Sequence, residues 1–208
     1  MRQWRATHAL WVSLGVLLIL VAARGSAHDA WIVGSALGLA LLPAAIEGLT
    51  GVRLPRGFVL ACGLFTVLTV GLGELVDFYQ RLAWWDVPMH LAAGFVVAGI
   101  GLVAALTLLS HMRAHRAMVL PATFALFTGV GVSGIWELFE YALDARFGFS
   151  TQNASLVDTM HDLALGTAGA LACAGLGALH VAAVPTGIFG RIVEGAVAEN
   201  TWREPEAS

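Results

Sequence analysis

Seven of the fourteen acidic residues fall into four short groups separated by apolar runs: Glu74 and Asp77; Asp86; Glu137 and Glu140; Asp158 and Asp162, with His90 and His161 among them. Each group keeps helical spacing. Residues 74 and 77 are i,i+3, 86 and 90 are i,i+4, 137, 140 and 144 run i,i+3,i+7, and 158, 161 and 162 run i,i+3,i+4. Every helix would therefore carry its polar groups on one face. Carboxylate oxygens joined by one or two imidazoles suit Mn, Fe or Zn, whereas carboxylates alone suit Mg or Ca. The expected ligands of a divalent metal are Asp86, His90, Asp158, His161, Asp162 and Glu74, and Glu137 and Glu140 are the candidate catalytic bases.

The elements that carry these residues follow from composition. Of 208 residues only 12% are charged and 58% are hydrophobic, about half the charge of a soluble domain. Disorder, a collagen-like repeat and a disulfide scaffold are excluded, and a membrane protein is expected. All eleven basic residues are arginine and the net charge is -3, which provides no basic stripe for nucleic acid. Six apolar runs approach the roughly 20 residues that a transmembrane helix needs: Ala9 to Ala23, Ala30 to Leu49, Gly57 to Tyr79, Trp85 to Leu109, Ala117 to Leu143 and Val157 to Ala183. The fold class is all-α, a polytopic bundle of six spans joined by short loops, with residues 1–190 forming one domain.

Orientation follows from arginine. Arg2, Arg5, Arg53, Arg56, Arg113, Arg116, Arg191 and Arg203 share the side of the N-terminus, against Arg24, Arg81 and Arg146 opposite, so both termini are expected in the cytoplasm. The first run, although preceded by Arg2 and Arg5, reads as a retained helix rather than a cleaved signal. Residues 191–208, with four glutamates, read as a cytoplasmic tail containing a short helix. Cys62 and Cys173 lack any zinc-finger or redox spacing and read as packing residues. Histidines 8, 28, 111, 115 and 180 read as interface or core residues without functional weight, and Glu47 is expected to pair with Arg53 or Arg56.

On this topology all four acidic groups lie at outward-facing span ends. Below them the same faces continue into Gly94, Gly166, Gly169 and Ser133, small residues that let helix backbones approach within lipid. Spans three to six are therefore expected to enclose a polar pocket that opens outward and has a closed floor. An ionised carboxylate in hydrocarbon costs on the order of 2.5–3.5 kcal/mol, so so many neighbours require protons or a bound cation. Acidic groups at span ends are also often merely solvated. Against that reading, Glu137 and Glu140 lie inside the span end, and the polar faces also carry packing glycines. Trp84, Trp85 and Tyr79 read as an interfacial aromatic belt, while Trp136 could wall the pocket.

The segments GELVDFYQRLAWWDVPMHLAAG at 73–94, SGIWELFEYALD at 133–144 and LVDTMHDLALGTAGA at 156–170 resemble the YjdF family of bacterial inner-membrane proteins, which is similar in turn to VanZ-like proteins. The resemblance covers about residues 40 to 185. It implies a polytopic bundle in the bacterial inner membrane, with motif residues at Glu74, Asp86, His90, Glu137, Glu140, Asp158 and Asp162. VanZ-like proteins usually have Gln where this chain has Glu140 and Asn where it has Asp162, so this pocket is the more acidic.

Three functions are compatible with these residues. The first is a metal-dependent hydrolase or transferase acting on a lipid headgroup or lipid-linked phosphate, with Arg81 and Arg146 near enough to contribute. The second is a non-catalytic accessory or lipid-binding protein locked by the polar cluster, in which Gly166, Gly169, Gly175 and Gly177 could dock a partner helix or a second copy. A cation or proton transporter is the third, although the cytoplasmic halves of spans three, four and six carry hardly any polar residues.

Overall fold

In the computed structural model the described residues are 27–50, 53–54, 56–82, 84–110, 119–148, 151–152 and 155–201, together with Gly15, Ile19 and Ala23. Nearly all of the first expected span, His8, His111, His115, Arg2, Arg5, Arg24, Arg113, Arg116, Arg203 and the last seven residues lie outside them. The chain falls into two compact units, Met1–Trp85 and Asp86–Ser208.

The first unit contains α1 (Ala27–Thr50), α2 (Arg56–Thr66), a π-helical continuation over Val67–Leu75 and the short α3 (Phe78–Arg81). Ile32 and Ala36 of α1 pack on Val70. The third expected span is thus not one regular helix. Thr66 Oγ1 donates to the carbonyl of Cys62 at 2.9 Å and Thr69 Oγ1 to that of Phe65 at 2.8 Å, and such hydroxyl bonds compete with the helical ladder. The wide turns end where Asp77 enters the left-handed region at φ 62. Asp77 therefore leaves the face it was expected to share with Glu74; it is exposed and pairs with Arg81 at 3.3 Å. Glu47 Oε1 accepts the Leu54 amide at 2.7 Å, which closes the chain after α1.

The second unit is built on α4 (Asp86–Ser110), α5 (Val119–Phe147) and α6 (Leu156–Val181), followed by α7 (Gly187–Asn200). Segments Asp86–Leu109, Val119–Phe147 and Leu156–Val181 are long and apolar enough to cross a membrane, whereas Gly34–Leu49 and Val59–Glu74 are shorter apolar stretches. The 25 residues of α4 extend about 37 Å at the helical rise, enough for a hydrocarbon layer of about 30 Å. Burial is inverted relative to a soluble bundle. Ala98, Ala125, Ala170 and Cys173 form the interior with Leu102, while Phe124, Phe127, Ile135, Leu138 and Leu171 face outward. Small residues inside and large apolar ones outside are what helix association in lipid requires.

Close backbone approach sets the register. A Cβ on Gly94 would collide with the Gly166 carbonyl oxygen, and one on Gly169 with the Leu91 carbonyl oxygen; Gly177 abuts Leu102. Pairing of 94 with 166 and of 102 with 177 makes α4 and α6 parallel, with α5 antiparallel and packed against both through Gly129 on Ala170 and Ala98 and Ser133 on Gly166. Gly166, Gly169 and Gly177 are consequently consumed inside the unit. They were expected to offer a docking face, but their contact area is already taken by α4 and α5, and of that set Gly175 has no atom within 4 Å of a Cβ placed on it.

The helix expected near Arg191 begins at Gly187, after a turn with positive φ at Ala183 and Gly187. Its residues Gly190, Val193 and Ala196 are buried, and Val193 joins the interior beside Phe189 and Phe95, whose rings stand edge-on at 6.0 Å. His180 lies at this turn, with Nδ1 3.3 Å from Thr186 Oγ1 and Nε2 3.9 Å from Glu194 Oε1.

Candidate metal centre

At the end of the second unit where α4 and α6 begin, the first turn of α4 reads Asp86-Val87-Pro88. An acidic residue there favours the positive end of the helix, and proline loses nothing where no amide has an intrahelical partner. One turn on, His90 Nε2 lies 3.2 Å from Asp86 Oδ1. From α6, Asp162 Oδ1 lies 3.7 Å from the same nitrogen, and ligand atoms of Asp86 and Asp162 lie within 4.8 Å of each other.

The glycines explain why two separate helices deliver these groups to one place. Gly94 is four residues after His90 and Gly166 four residues after Asp162, so each lies directly beneath its polar partner on the same face. Those two glycines touch. With the backbones in contact one turn below, the side chains above are held within a few ångströms. One potential ligand atom from each of Asp86, His90 and Asp162 falls within 4.8 Å of the others. Ligand atoms around an ion bound at about 2.1 Å stand roughly 3–3.5 Å apart, so the group is close to a binding geometry. Asp162 is buried at 7% side-chain exposure, His90 at 17% and Asp86 at 35%. The centre is thus enclosed on the α6 side and reachable from the Asp86 side.

Residues of α5 border this group. Ser133 packs on Gly166, and Glu137, one turn later, is 4% exposed. Glu137 is close enough to feel the charges of His90, Asp86 and Asp158, and Glu140 those of His90 and Asp162. Trp136 Nε1 donates to Glu140 Oε1 at 2.9 Å.

Thr151 and Gln152, between α5 and α6, lie against the end of α5. Asp144 Oδ1 accepts the Thr151 amide at 2.8 Å and its hydroxyl at 2.6 Å, and Asp144 Oδ2 accepts the Gln152 amide at 3.0 Å. Thr151 Oγ1 also donates to the Glu140 carbonyl at 3.3 Å. Gln152 Nε2 then donates to the Glu137 carbonyl at 3.1 Å and to Glu137 Oε2 at 3.3 Å. Nothing in the spacing of Thr151 and Gln152 marks them, because they act through a loop that doubles back on its own helix.

Of the six expected metal ligands, Asp86, His90 and Asp162 come together. Asp158 and His161 provide no atom to that group: Asp158 sits a full turn nearer the start of α6, where the Ser155 hydroxyl accepts its amide at 3.3 Å, and His161, rotated about 100° from Asp162 along a 3.6-residue helix, is exposed. Glu74 belongs to the first unit, where it is exposed. Glu137 and Glu140, the candidate bases, provide no atom to that group and stand on α5, one and nearly two turns after the Ser133 that packs on Gly166.

The arrangement offers two carboxylates and one imidazole, a donor set suited to Mn, Fe or Zn. Two anionic carboxylates and a neutral imidazole sum to a charge that a divalent cation cancels, whereas protonating His90 cancels half of it. Crowded carboxylates with little water require such compensation. No curated protein and no solved structure matches the chain. A family model described as a predicted membrane protein family matches residues 6–183, which contain all of the groups above; the chain belongs to that family, DUF2238.

Proposed function

We propose that Asp86, His90 and Asp162 bind a divalent metal and that this multi-pass protein is a metal-dependent hydrolase or transferase acting on a lipid headgroup or lipid-linked phosphate. The observation that carries the reading is the convergence of three ligand atoms from two helices within 4.8 Å. Three protein ligands leave coordination positions for water and substrate. The metal would polarise a phosphoryl or carbonyl oxygen and lower the pKa of bound water. Glu137 and Glu140 would accept the proton, and Arg146, in the last turn of α5, would attract an anionic headgroup.

In this reading the protein lies in a bacterial inner membrane with both termini in the cytoplasm and the centre facing outward, as the arginine distribution and the resemblance to YjdF and VanZ-like proteins imply. A second reading has its own support. Because His90 and Asp162 bridge α4 and α6, the ion would serve as a structural clamp in a non-catalytic, lipid-binding protein.

Elemental analysis of the detergent-purified protein, with Asp86→Ala and Asp162→Ala beside it, separates these readings. An active centre predicts close to one equivalent of Mn, Fe or Zn in the wild type, lost in both variants with helix content and melting temperature retained. Metal lost together with the fold favours the clamp. A metal-free wild type that takes up none of these ions on addition rules out both.

A further inference from the structure

We propose that Gln152 is a positioning residue for Glu137, holding its carboxylate toward the Asp86–His90–Asp162 group so that it accepts a hydrogen bond from water on the metal, which supports metal binding, and can then take that water's proton; this rests on the metal-centre reading above. The geometry is specific to this loop. Gln152 reaches Glu137 across 15 residues of chain and grips it twice, at the main-chain carbonyl and at Oε2. A single bond to the carboxylate would leave the amide free to swing. The second bond, to the carbonyl of the same residue, ties the amide to the helix itself.

The loop has its own anchor. Asp144 takes three hydrogen bonds from Thr151 and Gln152, so the Gln152 backbone is held before its side chain reaches Glu137. An amide is suited to this task because its NH2 donates to a carboxylate without adding charge. A lysine in its place would neutralise the base, and a glutamate would repel it. Glu137, at 4% exposure, has few water contacts to orient it otherwise.

A positioning role and a purely structural role differ in one measurable respect. If Gln152 acts through Glu137, its removal matters only while Glu137 is a carboxylate. Partners in the outer shell of a metal site typically contribute about 10–100-fold in affinity or activity. The test is a double-mutant cycle on Mn2+ affinity, read by calorimetry on full-length protein in detergent, with Gln152→Leu, Glu137→Gln and the double variant. Gln152→Leu keeps the side-chain volume, and Asp144→Asn serves as a second route, removing the bond to the Gln152 amide while keeping an acceptor for Thr151.

The proposal predicts that Gln152→Leu weakens Mn2+ binding about tenfold in the wild-type background and less than twofold in the Glu137→Gln background, with melting temperatures shifted equally in the two. Asp144→Asn should follow the same pattern with a smaller effect. Equal losses in both backgrounds, or no loss while the wild type binds Mn2+, overturn the role of Gln152 and leave the metal centre standing. A wild type that binds no Mn2+, Fe2+ or Zn2+ overturns the metal centre and this role with it.

Discussion

Asp162→Ala is expected to weaken divalent-cation binding by more than about 100-fold without unfolding the protein. Changes to groups that merely orient metal ligands already cost about 10–100-fold, and Asp162 would be a ligand itself. It is also the most enclosed of the three at 7% side-chain exposure, against 35% for Asp86. Water can enter the place of a lost Asp86 oxygen more readily than that of Asp162, so the order of loss should be Asp162→Ala before Asp86→Ala. The fold should survive because the variant deletes a buried anion while His90 keeps its contact with Asp86 at 3.2 Å. Calorimetric titration with Mn2+ and with Zn2+, alongside thermal unfolding, measures both parts. Equal affinities for Asp162→Ala and the wild type would contradict the assignment.

Gly94→Val should be the most damaging substitution to the bundle. The added side chain would meet the backbone of Gly166, and backbone cannot rotate aside as a side chain can. Relief requires α4 and α6 to separate, which also moves His90 away from Asp162, because each glycine lies one turn below its polar partner. Overpacking of well-fitted interiors costs typically about 1–3 kcal/mol, and a β-branched group against backbone belongs at or above the upper end. The expected result is a large fall in melting temperature and in the yield of folded protein, together with loss of metal. Gly131→Ala and Gly175→Ala are the controls, since a Cβ at either position meets no atom within 4 Å; both should be neutral or slightly stabilising through better helix propensity.

These two substitutions also mark how much was legible in the sequence. The long helices of the second unit follow the apolar runs closely: Trp85 to Leu109 was expected and Asp86–Ser110 observed, and Val157 to Ala183 became Leu156–Val181. Uncharged length is a strong signal in a membrane protein because the hydrocarbon layer sets it. The i,i+4 spacing of Asp86 and His90 correctly placed them side by side, and the same spacing placed Gly94 and Gly166 below the polar groups.

Spacing along one helix does not determine which neighbour that helix faces. His161 satisfies the same pattern as Asp162 yet is exposed, because rotation of α6 is set by Gly166 and Gly169 against α4. The glycines of α6 read in sequence in two ways, Gly166 and Gly169 as packing residues below the polar groups and the set with Gly175 and Gly177 as a docking face, and the packing assigns Gly166, Gly169 and Gly177 to the interior. Asp77 kept helical register with Glu74 in sequence but adopts φ 62, where the π-helical segment ends. Gln152 was beyond reach because its partner is 15 residues back and the contact depends on how the loop folds over α5.

A metal held by one imidazole and two carboxylates is what every functional role proposed for this chain depends on. The most direct measurement is electron spin-echo spectroscopy of the protein loaded with one equivalent of Mn2+, which detects nitrogen bound to the ion. The expected result is a 14N coupling from a single imidazole in the wild type, unchanged in His161→Gln and abolished in His90→Gln. Bound Mn2+ with no nitrogen coupling, or a coupling that persists in His90→Gln, would contradict it.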